Sequence, residues 1–327
     1  MLILSVDSSC DESCVSIFET ESHQLLANVV YSHISSMQKH GGVVPEIASR
    51  EHLKLLPIAL KEALQKSKLT LKQIDWFTVT NGPGLIGALL VGVNFTKALA
   101  YALKKPFSVM NHIEGHLYSP LIEKTAPSFP WIALVVSGGH TELFLVKDLL
   151  DHQWLGGTLD DAAGEAFDKI GKLLELPYPA GPKLDSLVKQ KAKNGDRNHF
   201  KFPRAKTNDY TFSFSGLKTA VSLEIKKHKL EEDLKTTIAA SAQEAIVDAL
   251  VEKVESTKNK LGVSQVVVAG GVACNSRLRE KLEGAYFPSR EFCSDNAAMI
   301  ANLSALYHKK NQLKPNLFSE TAYARLN

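Results

Sequence analysis

Apolar residues run almost unbroken through LILSVD (2–7), alternate with polar ones in CVSIFE (14–19) and return in QLLANVVYS (24–32). Runs of this length with a period near two predict three strands, and the polar SSCDES (8–13) between the first two predicts a hairpin. Residues 46–66 carry helical spacing, with Pro57 expected to kink or divide the helix because proline lacks an amide proton. DWFTVTN (75–81) reads as a buried strand. GPGLIGALLVGVNFTKALAYALKK (82–105) then reads as a glycine turn and a helix apolar around most of its circumference, hence an interior one.

The second half opens in the same way. WIALVVSGGHTELFLVKD (131–148) is strand, glycine turn and strand, followed by a helix over 162–175. After a basic segment, a long amphipathic helix at about 236–260 carries Ile238, Ala242, Ile246, Leu250 and Val254 on one stripe. SQVVVAGGVACNSRLREKL (264–282) is strand, glycine turn and a helix starting near Asn275. Two halves that each begin strand–turn–strand and continue into alternating helices and strands predict two α/β lobes with a cleft between them.

Composition narrows the class. A chain of 327 residues suits about two domains, and 44% hydrophobic with 22% charged residues excludes disorder. Cys10, Cys14, Cys274 and Cys293 show no C-x-x-C spacing, which speaks against a zinc ribbon, a redox motif or a disulfide framework. The N-terminus lacks a basic region and reads as a strand rather than a signal peptide. No apolar run is expected to reach the ~18 residues of a membrane span, so the cytoplasm is the expected location. Net charge is only +3, but Lys183 to Lys218 holds nine Lys/Arg against three Asp, +6, which leaves −3 for the rest. That is either the footprint of a polyanion or a solvated loop.

Three turns follow apolar strands directly: DSSCDES (7–13), VVSGGHT (135–141) and VAGGVACN (268–275). Glycine there lets backbone amides approach an oxyanion, and three such turns together point to a nucleotide site. Asp7, Asp11 and Glu12 in the first turn would hold a cation or act as bases, although Asp and Ser also stabilise tight turns unaided. In NHIEGH (111–116), His112 and His116 fall on one helical face and could share a metal, with His140 or Asp295 as candidate third ligand. The zinc-protease signature is not met. Its glutamate follows the first histidine directly, whereas Glu114 is two positions on and projects about 200° away.

SVDSSCDESCVSI, HGGVVPEIASREH (40–52), NGPGLIGALLVG, NHIEGH, LVVSGGHTEL, LDDAAGEAFDKIGKLLELPYPAGP (159–182), FSFSGLKTAV (212–221) and CSDNAAMIA (293–301) closely resemble the TsaD family. These are bacterial tRNA threonylcarbamoyl transferases, also described as O-sialoglycoprotein endopeptidases. The resemblance covers essentially the whole chain, with its motifs in the same order. It implies the actin-like fold of sugar kinases and heat-shock chaperones, two lobes with RNase H-like cores and a nucleotide between them, here at 1–110 plus 297–327 and at 111–296. It implies transfer of a threonylcarbamoyl group from threonylcarbamoyl-adenylate, made by a TsaC-like synthase, to N6 of the adenosine beside the anticodon in tRNAs reading codons that begin with A. A TsaB-like partner subunit and a TsaE-like ATPase complete the machinery, with no membrane involved.

Carried over by position, the resemblance gives His112, His116 and Asp295 as ligands of one divalent metal ion, iron or zinc. Val135, Val136, Ser137, Gly138 and Gly139 would hold the adenylate, together with Asp168, Gly181, Asp185 and Asn275. Asp11 matches the catalytic acidic residue. Asp7 stands where Glu is common, Ser13 where Thr is common and Cys14 where Ala is common, and Cys274 replaces a usual small residue; none of these removes a ligand or a donor. Lys189, Lys191, Lys193, Arg197, Lys201, Arg204 and Lys206, interleaved with His199, Phe200, Phe202 and Tyr210, would meet the tRNA backbone and stack on loop bases. An ATP-dependent phosphotransferase of the same superfamily would leave the histidine pair idle, and a nucleotide-gated scaffold would need no metal.

Overall fold

Strand β1 (Leu2–Asp7) pairs antiparallel with β2 (Glu12–Glu19), from Leu2 opposite Glu19 to Asp7 opposite Cys14. β3 (Gln24–Ser32) pairs antiparallel with β2. Helices α1 (Ile34–Gln38), α2 (Pro45–Ser67) and α3 (Ile86–Leu103) and strands β4 (Trp76–Gly82) and β5 (Phe107–Asn111) follow, and then α4 (His112–Tyr118). The sheet order is β3-β2-β1-β4-β5, with β4 parallel to both β1 and β5. The parallel strands therefore end on the same side, which brings the turn after Asp7 and the start of α4 to one edge of the sheet. The computed structural model describes residues 1–123, 125–193 and 195–324.

Two expectations about these helices change. α2 runs through Pro57 as a single helix. Pro57 and Leu53, whose carbonyl loses its partner, both lie on the exposed face, where water can take the lost hydrogen bond. α3 is not an interior helix. It buries Ala88, Leu89, Gly92, Val93, Thr96 and Ala100, while Ile86, Leu90 and Tyr101 stay exposed. Its 18 residues are also long and apolar enough to cross a membrane, contrary to the expectation that no run reaches that length. Its buried face packs into the core of the β4 sheet instead.

A second sheet begins with β6 (Trp131–Val136), β7 (Thr141–Asp148) and β8 (Asp151–Gly157), and closes with β9 (Gln265–Ala269). Its order, β8-β7-β6-β9, repeats the first: an antiparallel hairpin pair beside a parallel strand. The helices are α5 (Ala163–Leu173), α6 (Ala180–Lys191), α7 (Asp196–His199), α8 (Ser215–Ile225), α9 (Glu232–Leu261), α10 (Ser276–Lys281) and α11 (Arg290–Cys293). Every residue of β6 is buried, as expected of a strand covered on both faces. The predicted stripe of α9, Ile238 to Val254, is fully buried, with Ala239, Ala240 and Ala245 widening it so that neighbouring helices approach closely. Gly270 after β9 has φ +94°, and a Cβ there would lie 2.2 Å from the Val136 carbonyl, so only glycine fits.

The chain then returns to the first sheet through α12 (Ala297–Lys309). Two units result: Met1–Ala126 with Ser294–Asn327, and Pro127–Cys293. The lobes expected at 1–110 plus 297–327 and at 111–296 differ from this division. α4 and the segment before α12 join the first unit because α4 packs on α12.

Between α9 and α10, the nearly buried Glu244 carboxylate accepts hydrogen bonds from Arg277 Nε at 2.8 Å and Nη2 at 2.9 Å, and it pairs with Lys281 at 2.6 Å. Burial alone would raise its pKa, but the two cations outweigh burial and bring it down to about 2. A depressed carboxylate stabilises the fold above its unfolded pKa of about 4.3, and that contribution disappears as pH falls towards 2. Glu244→Gln is therefore expected to cost on the order of 2–3 kcal/mol in urea unfolding at pH 7, with the gap to wild type closing between about pH 4.3 and pH 2.

Candidate active site

α4 starts where β5 ends, and its N-cap is Asn111, whose side chain accepts the Glu114 amide. One turn of this helix sets the His112 and His116 rings 4.9 Å apart. Asp295 arrives from the segment just before α12. There the Asn296 side chain caps the helix by accepting the Met299 amide, and Ser16 bonds the Ala297 carbonyl. Gly115 makes the approach close: a Cβ would lie 3.0 Å from Ile300 and 3.2 Å from Met299 of α12.

Asp295 Oδ1 then lies 3.2 Å from His116 Nε2 and 3.5 Å from His112 Nε2. Ligands about 2.1 Å from a common ion sit roughly 3.4 Å apart in tetrahedral order, so these spacings fit a metal. Two imidazoles and a carboxylate are also the donor set of many iron and zinc sites. Among the described residues this is the His/Cys/Asp/Glu group that could hold an ion; His140, the alternative third ligand, lies in the β6–β7 turn instead.

Asp7 completes the arrangement. Its Oδ2 lies 3.5 Å from His112 Nδ1, the position from which a carboxylate orients a ligating imidazole. Burial works against the charge on His112, but Asp295 and Asp7 together outweigh it and push the pKa up to about 10. Asp295 is held well below the usual carboxylate range: burial opposes this, and His112 and His116 prevail. Glu12 is driven well above its ordinary value by burial, then by Asp11 and Asp295. A divalent cation is the charge that such a crowd of carboxylates accommodates best. Glu114, two positions after His112, accepts the Tyr307 hydroxyl at 2.7 Å. It is thus engaged on α12, and the protease reading loses its base.

The residues expected to hold an adenylate gather in the second unit. Val135 and Val136 are fully buried in β6, so only the turn beyond them is accessible. In that turn the Ser137 hydroxyl accepts the Gly139 and His140 amides, and a Cβ on Gly138 or Gly139 would meet nothing within 4 Å. Asp168 Oδ1 accepts the Ala180 and Gly181 amides at 2.8 and 2.9 Å, fixing the start of α6. Asp185 accepts from Gln243, from the Ser276 hydroxyl and from the Ser276 amide, while the Asn275 side chain caps α10.

The basic segment is less available than its composition suggests. Lys191 pairs with Glu232 at 2.7 Å, Lys193 with Asp233 at 3.3 Å, and Arg204 with Asp248. Phe202 is buried in the core and Phe200 packs against it, so these rings are not stacking platforms. Lys189, Lys201 and Lys206 remain exposed.

The comparisons with known proteins give the family and the fold. The family model described as "TsaD: tRNA N6-adenosine threonylcarbamoyltransferase" matches residues 24–302. The chain belongs to the TsaD family. A tRNA N6-adenosine threonylcarbamoyltransferase of Fervidobacterium nodosum is 48% identical, covering 92% of this chain and 91% of its own length. One of Thermosipho africanus is 47% identical and covers 95% of each. Among solved structures, HypF of T. kodakarensis superposes with a TM-score of 0.63 at 15% identity, over 94% of this chain and 48% of that one. An activator of 2-hydroxyisocaproyl-CoA dehydratase from Clostridium difficile with bound ADPNP gives 0.53 at 14% identity, over 97% and 98%. At such identities the likeness concerns the fold alone, which is actin-like as the sequence resemblance implied.

Replacing His112, His116 or Asp295 by Ala should leave less than a tenth of the wild-type metal after dialysis, read by elemental mass spectrometry. Asp7→Asn should retain the metal but weaken it about 10- to 100-fold in chelator competition.

Proposed function

We propose that this protein moves a threonylcarbamoyl group from threonylcarbamoyl-adenylate to N6 of the adenosine beside the anticodon, in tRNAs reading codons that begin with A. The observation that carries the reading is the meeting of His112, His116 and Asp295 in a chain that belongs to the TsaD family. A phosphotransferase of the same fold would leave that triad without a task.

His112, His116 and Asp295 would hold the ion, iron with zinc the alternative for the same donors, and Asp7 would orient the His112 ring. When bound, it supplies Lewis-acid polarisation of a carbamoyl or phosphate oxygen. The turn at Ser137, Gly138 and Gly139 receives the phosphate, where both glycines leave open space. Asp168, Gly181, Asp185 and Asn275 position the nucleoside. In the adenylate the carbamoyl carbon is joined to phosphate in a mixed anhydride, so placing the amine well matters more than forcing the reaction. The N6 amine attacks that carbon, the carbon–oxygen bond to phosphate breaks and AMP leaves. Asp11 takes the proton that N6 gives up.

Exposed Lys189, Lys201 and Lys206 meet the tRNA backbone. A TsaB-like subunit docks on α2 and α3, where exposed Leu53 and Leu90 line a groove of about 320 Å³ and Ile58 and Ile86 are exposed on the same two helices. A TsaC-like synthase provides the adenylate, a TsaE-like ATPase acts with the complex, and the cytoplasm is where these meet.

Supplied with adenylate, partner proteins and unmodified tRNA, wild type should yield the modified nucleoside by mass spectrometry. Asp11→Ala should lose at least about 100-fold in transfer while binding the adenylate within about threefold of wild type. Equal turnover would remove Asp11 from the reaction. Leu53→Glu with Leu90→Glu should weaken capture of the TsaB-like subunit by at least tenfold, on the order of 1.4 kcal/mol, with metal content unchanged.

A further inference from the structure

Behind the turn that carries Asp11 lies a buried group of three polar side chains that the reaction above does not use: Ser13, His33 and His52, each at most 1% exposed. Their hydrogen bonds can be given directions. His52 Nε2 lies 3.1 Å from the Cys10 carbonyl, which can only accept, so Nε2 carries the proton. His52 Nδ1 must then accept, and the Ser13 hydroxyl donates to it at 2.8 Å. With its proton committed, Ser13 Oγ accepts from His33 Nε2 at 3.0 Å. The His33 amide meanwhile donates to the Asp11 carbonyl at 2.8 Å. The turn is thus tied at Cys10, Asp11 and Ser13.

We propose that the chain His33–Ser13–His52 is a clamp of positioning residues that fixes the 10–13 turn, and with it the Asp11 carboxylate, for the transfer reaction. The proposal rests on the role given to Asp11 above. It requires both rings to be neutral. A second proton on His52 would sit on Nδ1 and face the Ser13 hydroxyl, breaking the sequence of donors. On His33 it would sit on Nδ1, a buried atom with no hydrogen-bond partner among the described residues. The surroundings keep both rings uncharged. Burial is the largest influence on each, lowering His33 against the pull of Asp11 and Glu51. It lowers His52 to about 4, aided by His33 and opposed by the Cys10 carbonyl and Asp7.

Three measurements test the clamp. Ring-nitrogen NMR of the wild-type protein at pH 7 should find both histidines neutral and protonated at Nε2; a charged ring or the other tautomer at either position overturns the proposal. In Ser13→Ala, kcat for transfer from the adenylate should fall about 10- to 100-fold with KM for the adenylate within about twofold. Its acid limb should also move up by about one pH unit, because His52 Nδ1 no longer receives a proton that a second one would displace. Ser13→Thr, which restores the hydroxyl, should recover both. Hydrogen exchange at the His33 amide should accelerate at least tenfold in Ser13→Ala alone. Wild-type kcat, pH profile and exchange in Ser13→Ala overturn the clamp. If wild type itself transfers nothing, the functional reading fails instead, and the NMR and exchange results still decide whether the turn is clamped.

Discussion

The candidate centre depends on one electrostatic constraint: a carboxylate and two imidazoles must share a buried space in the first unit without an unpaired charge. Asp295 meets both rings at 3.2 and 3.5 Å, and Asp7 faces His112 from the other side. Burial of any one of these charges alone would be strongly unfavourable. Together they offset one another, and they leave an excess of negative charge suited to a divalent cation. The packing serves this constraint. A glycine at 115 lets α4 lie against Met299 and Ile300 of α12, and Asn111 and Asn296 cap the two helices whose starts present the ligands.

The parallel strands explain why chemistry collects at one edge of each sheet. β1, β4 and β5 run in one direction, so the turn holding Asp11 and the first residue of α4 emerge at the same end of the sheet. In the second unit β6 and β9 are likewise parallel, and the Ser137 turn and the Asn275 cap follow from their ends. The same topology, used twice, places the candidate metal ligands at the end of one sheet and the candidate adenylate turn at the end of the other.

Much of this was legible in the sequence where periodicity or turn chemistry is strong. QLLANVVYS is β3 to the residue, and the stripe on α9 is buried as its spacing required. The histidine spacing was visible too, but the residues alone left His140 and Asp295 open as the third ligand, because nothing local links position 116 to 295. Strand β8 escaped notice because DHQWLGG shows no clean alternation; it is an edge strand with an exposed Trp154. The interior placement of α3 failed because an apolar circumference does not say whether the outer face is covered. The stacking role of Phe200 and Phe202 failed for the converse reason: lysines on either side in sequence do not keep a phenylalanine out of the core. The clamp around Ser13 had no sequence signal, since its histidines lie 20 and 39 residues away.

The long excursion between the two parts of the first unit has a consequence for how the protein is made. His116 and Asp295 are 179 residues apart, and the entire second unit is synthesised between them. On the ribosome, Asp7 and both imidazoles are made well before Asp295. The candidate metal site is therefore complete only late in synthesis, once Asp295 has been added. Its completion follows synthesis of the whole second unit and needs α12 packed on α4.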